Sequence, residues 1–326
     1  MILIASSSLD SSTHEPVYRK LRASGESVVL YETDRVMSGE QRFVLKFADD
    51  GTPLIWCDGI DIRPGEVAAA WLWKVGSFRN ADATTNVSKQ LSMVNEMVLW
   101  NSSIWDLYSE DVWLNAPSRI AAADRKLSQL SVARSLGLAI PETVVSSTWD
   151  DLGDSSLCKE ATSIIVKMLR GVIADQNEIR AMYTEVLTAD RLQALQRVAR
   201  PFPGLYQAFI QKAREWRVTL VGDQVFAVAI YTEESAKDDW RRHQLTSAVQ
   251  FRNERIPDVI ADQCRQFLSY FKLNFGAFDL IETSDGRFVF LECNPNGQYA
   301  WLEDELGIDV SGAIAAKLLD IARRRT

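Results

Sequence analysis

Apolar and polar positions in the first third of the chain follow an α/β pattern. The short apolar runs Met1–Ala5, Ser27–Tyr31 and Val67–Trp73 predict buried strands. Pro16–Ser24 and Thr84–Trp100 carry apolar residues three or four positions apart, which predicts helices between and after those strands. Strands that alternate with helices are typical of an α/β layer, so residues 1–115 are predicted to form an N-terminal α/β domain.

The pattern changes after the connector Trp113–Pro117. Ser118 is a suitable N-cap, and a single helix is predicted from there to Gly137, with Pro141 preventing its continuation. Its predicted inward stripe consists of Ile120, Ala123, Leu127 and Leu130. Further along, Trp216–Leu220 and Gln224–Ile230 predict a hairpin through Gly222-Asp223, and the stretch from Pro257 to about Leu273 predicts a helix.

The most informative stretch for chemistry is a predicted hairpin near the C-terminus. Asp285-Gly286 is a two-residue turn signal between two apolar runs, and it pairs Ser284 with Arg287. Counting outward, Asp279 falls opposite Glu292, and Asn294 shares their face because side chains alternate along a strand. Two adjacent carboxylates need a cation or a proton between them, and hard oxygen ligands favour Mg²⁺ with the phosphates of a nucleotide. The alternative is that these are ordinary solvated charges on an exposed sheet face.

Composition narrows the possible functions. The chain has 326 residues, a net charge of -8 and two histidines. The negative charge argues against general nucleic-acid binding, and the two histidines argue against a histidine triad or a zinc site. The sequence has no run long enough to span a membrane and no signal peptide, so a cytoplasmic protein with free thiols is expected.

Three strands that precede the hairpin also carry polar residues. Ser163–Lys167 ends in a lysine, Leu205–Ile210 is interrupted by Gln207, and Glu215 shares a strand face with Arg217. The lysine also has a structural interpretation, as a solvated head group, and so have Glu215 and Arg217, as a surface ion pair.

Taken in order, a strand lysine, an interrupted strand, a Glu-x-Arg strand and an Asp…Glu-x-Asn hairpin resemble the ATP-grasp superfamily. The segment Glu292–Tyr299, with sequence ECNPNGQY, and Asp239-Trp240-Arg241 are similar to motifs of the graspetide (microviridin-type) branch, which matures ribosomally made peptides. The resemblance implies an α/β fold of the ATP-grasp type, with an N-terminal pre-ATP-grasp domain (residues 1–115), a central lid (116–204) and a C-terminal antiparallel-sheet domain (205–326).

The resemblance also implies a role for each residue that matches the family's motifs. Phosphoryl transfer needs positioning and charge neutralisation more than a protein nucleophile. The implied roles are Lys126 and Lys167 on the ATP phosphates; Gln207, Phe209 and Ile210 around adenine; Glu215 on the ribose; Arg217 and Arg241 on the transferred phosphoryl group; and Asp279, Glu292 and Asn294 on Mg²⁺.

The function implied is that of a carboxylate-activating ligase. It would use Mg²⁺ and ATP to close ester or amide rings within a precursor peptide, whose leader would dock near residues 188–200, with Arg191 and Arg197 as candidate contacts. A homodimer is also expected. Two alternatives remain: a ligase that joins a free amino acid or amine to a carboxylate, and a nucleotide-binding protein without catalytic activity.

Overall fold

The fold is described from a computed structural model of the chain. The structure describes residues 1–75, 87–148, 152, 157, 163–167, 172–174, 179–181, 185–188, 204–233 and 249–325. Arg241, Arg191, Arg197 and the 239–241 motif lie outside these residues, so the structure places none of them.

The N-terminal part is built on a parallel sheet in which β1 is the central strand. β1 pairs with β2 on one side and with β6 on the other, and apolar clusters cover both faces of the sheet. Burial on both faces explains why these strands are continuous apolar runs. The elements are β1 (Ile2–Ser6), α1 (Ser11–Ala23), β2 (Val28–Glu32), α2 (Thr33–Ser38), β3 (Phe43–Phe47), β4 (Pro53–Cys57), β5 (Ile60–Ile62), β6 (Ala69–Leu72) and α3 (Val87–Trp105).

The predicted helix between Ser118 and Gly137 is in fact two helices, α4 (Pro117–Ala123) and α5 (Lys126–Ser135). Arg125 has an extended backbone and separates them. The break changes the phase of the second helix: Leu127 is exposed, and Gln129 is buried instead. Gly137 ends α5 with a positive φ, as predicted.

The middle of the chain contributes a four-stranded sheet in the order β11-β8-β12-β7 and a separate short hairpin formed by β9 and β10. The central strand β8 ends at Lys167, as the sequence predicts. The strands are β7 (Thr143–Ser146), β8 (Ser163–Lys167), β9 (Val172–Ala174), β10 (Ile179–Ala181), β11 (Glu185–Thr188) and β12 (Gly204–Ala208).

The C-terminal part is a five-stranded antiparallel sheet in the order β15-β14-β13-β16-β17. α6 packs on one face, and α8 packs against α1 and β6, which joins this sheet to the N-terminal part. The predicted α/β class with a C-terminal antiparallel sheet is confirmed. The elements are β13 (Arg214–Val221), β14 (Gln224–Thr232), β15 (Val249–Asn253), α6 (Asp258–Phe271), β16 (Phe275–Glu282), β17 (Phe288–Asn294), α7 (Ala300–Leu306) and α8 (Val310–Arg323).

Within the residues described, no helix combines the length and the apolar character that crossing a membrane requires. The three cysteines that the structure describes, Cys57, Cys264 and Cys293, are all buried free thiols.

Candidate active site

The two carboxylates of the C-terminal hairpin do face each other, but the path to that register differs from the prediction. Thr283 N–H donates to Arg287 O at 3.0 Å, so the hairpin closes with the loop Ser284–Gly286 rather than with two residues. This loop sets Leu280 opposite Phe290, one position away from the predicted register. The register then shifts, because Leu291 is an extra residue, and Asp279 pairs with Glu292.

Asp279, Glu292 and Asn294 form a set that we call the oxygen triad. The Asn294 amide nitrogen lies 3.4 Å from Glu292 Oε1, and Lys126 Nζ lies 3.8 Å from Glu292 Oε2. In the described part of the chain, no three His, Cys, Asp or Glu side chains cluster as a metal site. The triad nevertheless fits Mg²⁺, which is usually held by one or two carboxylates together with substrate phosphates.

Arg217 extends the same row across a third strand. It stands directly opposite Asp279, with Nη1 at 3.2 Å from Asp279 Oδ1, and only 6% of the residue is exposed. Neither Nε nor Nη1 has a hydrogen-bond partner among the residues described. Nη1 pairs with the carboxylate of Asp279 by charge, but buried donors that make no hydrogen bond are costly, so this guanidinium is suited to receive a further anionic oxygen.

Glu215 lies two residues before Arg217 and on the same strand face. Its Oε1 is 2.5 Å from Lys212 Nζ, and both side chains are largely buried. Lys212 was missed in the sequence, although its spacing of three residues from Glu215 was a signal for an ion pair. Any ligand hydroxyl that reaches Glu215 therefore meets a carboxylate that is already neutralised on one side.

The residues implied around adenine lie at the end of β12. The Gln207 amide is buried and donates to Thr143 Oγ1 at 3.0 Å, and the Phe209 N–H donates to Ser163 O at 3.1 Å. Both donors therefore already make hydrogen bonds within the middle sheet. Phe209 is exposed and Ile210 is half-buried, so their side chains are the groups that face outward.

The NPNGQY segment attaches the triad to the N-terminal part. Gln298 Nε2 donates to Asp10 Oδ1 at 2.7 Å, and Tyr299 Oη donates to Thr13 O at 2.9 Å. Gly297 is required by close packing, because a Cβ there would lie 2.5 Å from the Cβ of Ala277 in β16. The motif therefore has a structural role, which is to dock the strand end that carries Asn294.

Lys74 brings a further positive charge from the N-terminal sheet. Burial lowers the pKa of its ammonium group, the carboxylate of Asp10 opposes the shift, and Arg217 adds to it. Lys74 therefore lies within electrostatic range of Arg217. Lys74 was not recognised in the sequence, because it directly follows the apolar run Val67–Trp73 and no polar motif marks its position.

Comparison with known proteins finds solved structures of the same fold, although no protein-family profile matches the chain. The macrocyclase MdnC of Microcystis aeruginosa MRC, solved with the precursor peptide MdnA, is 29% identical, with a TM-score of 0.79 over 98% of this chain and 99% of that one. The chain is similar to the ATP-grasp ligases and shares their fold. The predicted resemblance to ligases that mature ribosomal peptides is confirmed by this match.

Other ATP-grasp ligases share the fold at lower identity. A Chryseobacterium gregarium RiPP-associated ligase, solved with ADP and a leader and core peptide, has a TM-score of 0.80 at 21% identity over 100% of this chain and 97% of its own. The ligase PsnB, solved with a minimal precursor, Mg and ADP, has a TM-score of 0.76 at 22% identity over 98% and 97%.

A curated relative is described as a probable alpha-L-glutamate ligase of Enterobacter sp. (strain 638). It is 27% identical over 213 residues, which cover 61% of this chain and 64% of the relative. The chain thus spans less than two thirds of that relative's length.

Proposed function

We propose that this ATP-grasp ligase activates Asp or Glu side chains of a ribosomally made precursor peptide and closes ester or amide rings with Ser, Thr or Lys of the same peptide. The observation that carries the proposal is the row formed by Arg217, Asp279 and Glu292, flanked by Lys126 and Asn294. The row combines two carboxylates, which suit a cation, with a buried guanidinium, which suits a phosphate.

The reaction has two steps. A peptide carboxylate oxygen attacks the γ-phosphorus of ATP, and ADP leaves, which gives an acyl phosphate. A hydroxyl or amine of the peptide then attacks the acyl carbon, phosphate leaves with the original carboxylate oxygen, and the nucleophile releases its proton. A divalent cation bound to Asp279, Glu292 and Asn294 would neutralise charge on the phosphate oxygens.

The chain's own residues would position and neutralise the reacting groups. Arg217 would donate to oxygens of the transferred phosphoryl group, and Lys126, at the start of α5, would bind a neighbouring phosphate. Lys167 and Arg241 are proposed for the remaining phosphate charge, Glu215 for the ribose, and Gln207, Phe209 and Ile210 for adenine.

Mass spectrometry tests this function. The reading frames next to the one that encodes this protein are searched for a short peptide rich in Ser, Thr, Asp and Glu, and that peptide is incubated with the protein, Mg²⁺ and ATP. We expect loss of one water mass for each ring, and no loss with Glu292→Gln. ATP turnover with an unchanged peptide would contradict ring closure.

A second candidate is the addition of a free amino acid to a carboxylate, which the similarity to a glutamate ligase favours. The same assay separates the two functions, because an added amino acid raises the mass of the acceptor whereas ring closure lowers it.

We also propose that the protein forms a homodimer through an apolar groove between α3 and β3. Phe47, Leu99 and Trp100 line this groove and are exposed in the single chain. An exposed apolar patch of this kind marks an interaction surface. Light scattering should report a dimer that Leu99→Glu converts to a monomer; a monomeric parent protein would contradict the proposal.

A further inference from the structure

The oxygen triad lies at an edge of the C-terminal sheet. β17 carries Glu292 and Asn294, and among the described strands only β16 is its neighbour; its other side has an isolated bridge from Val289 to Ala139. An edge strand leaves every second pair of backbone N–H and C=O groups without a strand partner. The inserted Leu291 disturbs the ladder just before Glu292 as well. Something other than a sheet must therefore fix the backbone between the two ligands.

A buried glutamine does so. Cys293 N–H donates to Gln129 Oε1 at 2.8 Å, and Gln129 Nε2 donates to Cys293 O at 2.8 Å. The second amide hydrogen goes to Ala123 O, at 2.7 Å, and the residue is 3% exposed. We call this set of three hydrogen bonds the Gln129 clamp.

The clamp acts on both ligands at once because of where Cys293 lies. Its N–H belongs to the peptide group that begins at Glu292, and its C=O belongs to the peptide group that ends at Asn294. One planar side-chain amide thus holds both peptide groups in a fixed relation. The Gln129 amide occupies the place that a neighbouring strand would otherwise take. By fixing both peptide groups, it sets the separation between the side chains of Glu292 and Asn294.

The same helix face carries a predicted phosphate contact. Lys126 is three residues before Gln129 on α5, so the two side chains lie on one side of the helix. Lys126 Nζ is 3.8 Å from Glu292 Oε2. One helix turn therefore holds both the backbone of the metal-binding strand and a cation beside its carboxylate.

A second buried amide holds the far end of the segment. Asn115 Nδ2 donates to Pro295 O at 3.0 Å and to Phe275 O at 2.9 Å, while its Oδ1 accepts from Asn274 N–H at 2.7 Å. The residues on either side of Asn294 are thus both fixed by side-chain amides from the segment that precedes α5 or lies within it.

We infer that Gln129 is a positioning residue of the metal site: it sets the geometry of Glu292 and Asn294 without touching the metal or the substrate. This inference rests on the proposed function, because it assumes that these two residues hold a divalent cation. Groups that orient metal ligands from behind typically change metal affinity by about 10- to 100-fold when they are removed.

The test compares two glutamines of the same core. Gln129→Met keeps the side-chain length and removes the clamp. Gln263→Met, on α6, is the matched control: its Nε2 donates to Leu136 O at 3.1 Å, at the other end of α5. Binding of Mn²⁺ in the presence of ADP is measured for the full chain by electron paramagnetic resonance, together with the melting temperature.

We expect Gln129→Met to weaken Mn²⁺ binding by about 10- to 100-fold and Gln263→Met to leave it unchanged. The Mg²⁺ concentration for half-maximal ATP turnover should rise in parallel. A folded Gln129→Met protein that binds Mn²⁺ like the parent would overturn the inference. A parent protein that binds no Mn²⁺ with ADP would instead refute the metal site itself, and the proposed function with it.

Gln129→Glu provides a second variant if Gln129→Met does not fold. It keeps an acceptor for the Cys293 N–H but loses the paired donors. An added negative charge near a cation site should by itself strengthen Mn²⁺ binding, whereas loss of the clamp should weaken it. Weaker binding in this variant therefore supports positioning, and equal or stronger binding contradicts it.

Discussion

Asp279 lies directly across the β16–β17 ladder from Glu292, and the pair depends on a bulge that leaves Leu291 without a partner in the ladder. In the register that the hairpin loop sets, Leu291 itself would lie opposite Asp279. Since side chains alternate along a strand, Glu292 would then point to the other face of the sheet. The bulge is thus what allows two carboxylates to share one site.

Insertion of one alanine between Leu291 and Glu292 should abolish metal and nucleotide binding in a protein that still folds. A ladder that absorbs one extra residue would then place the alanine opposite Asp279 and send Glu292 to the opposite face. Mn²⁺ binding with ADP and the circular dichroism spectrum are the measurements. Leu291→Ala, which keeps a single extra residue, is the control and should retain binding; unaltered binding after the insertion would show that the bulge does not set the site.

Arg217→Lys should reduce the turnover of ATP with peptide by about 100- to 1000-fold while affecting ADP affinity much less. The lysine keeps a positive charge but not the fork of donors that faces the phosphoryl group, and loss of one such donor has an effect of this size. Steady-state kinetics and ADP titration measure the two quantities. An equal loss in both would indicate that Arg217 serves binding rather than the transfer step.

Gly297→Ala should destabilise the protein by about 1–3 kcal/mol, because the new Cβ would overlap with Ala277 in a packed core. Gly65→Ala is the control: a Cβ added there would have no atom within 4 Å and the φ of Gly65 is not positive, so the effect should stay within about 0.5 kcal/mol. Urea unfolding gives both values. Equal stability of the two variants would contradict the close approach.

Stability should fall as the pH drops below 6.5, and His14 should account for part of the fall. Burial lowers the pKa of this imidazole from 6.5, although Glu32, Glu15 and Asp10 oppose the shift. The unfolded chain then binds a proton that the folded chain resists, which favours unfolding as the pH falls through 6.5 by up to about 1.4 kcal/mol per unit. Urea unfolding at several pH values should show that the free energy of unfolding of His14→Asn falls less steeply below pH 6.5 than that of the parent protein. An unchanged pH dependence would contradict a contribution from His14.

Much of the fold could be read from the sequence where a single periodicity dominates. The parallel strands Ile2–Ser6 and Val28–Glu32 and the hairpin formed by β13 and β14 were recognisable from apolar runs and a Gly-Asp turn. The break at Arg125 was not, since no Gly or Pro marks it and the apolar pattern continues through it. Because one continuous helix was predicted, Leu127 was assigned to the core and the burial of Gln129 was not recognised.

The predicted triad register was right for reasons that the sequence did not show. A two-residue turn was expected at Asp285-Gly286, whereas the loop has one residue more, with Gly286 at a positive φ. The extra residue at Leu291 compensates for that shift. Bulges depend on tertiary packing rather than on local sequence preference, which is why periodicity alone cannot locate them.

We propose above that the row of Arg217, Asp279 and Glu292 activates a peptide carboxylate as an acyl phosphate. The most direct measurement uses a precursor peptide whose Asp and Glu carboxyl groups carry heavy oxygen. After reaction with Mg²⁺ and ATP, mass spectrometry of the released phosphate should show one heavy oxygen for each ring closed. Rings closed without transfer of heavy oxygen to phosphate would contradict the account.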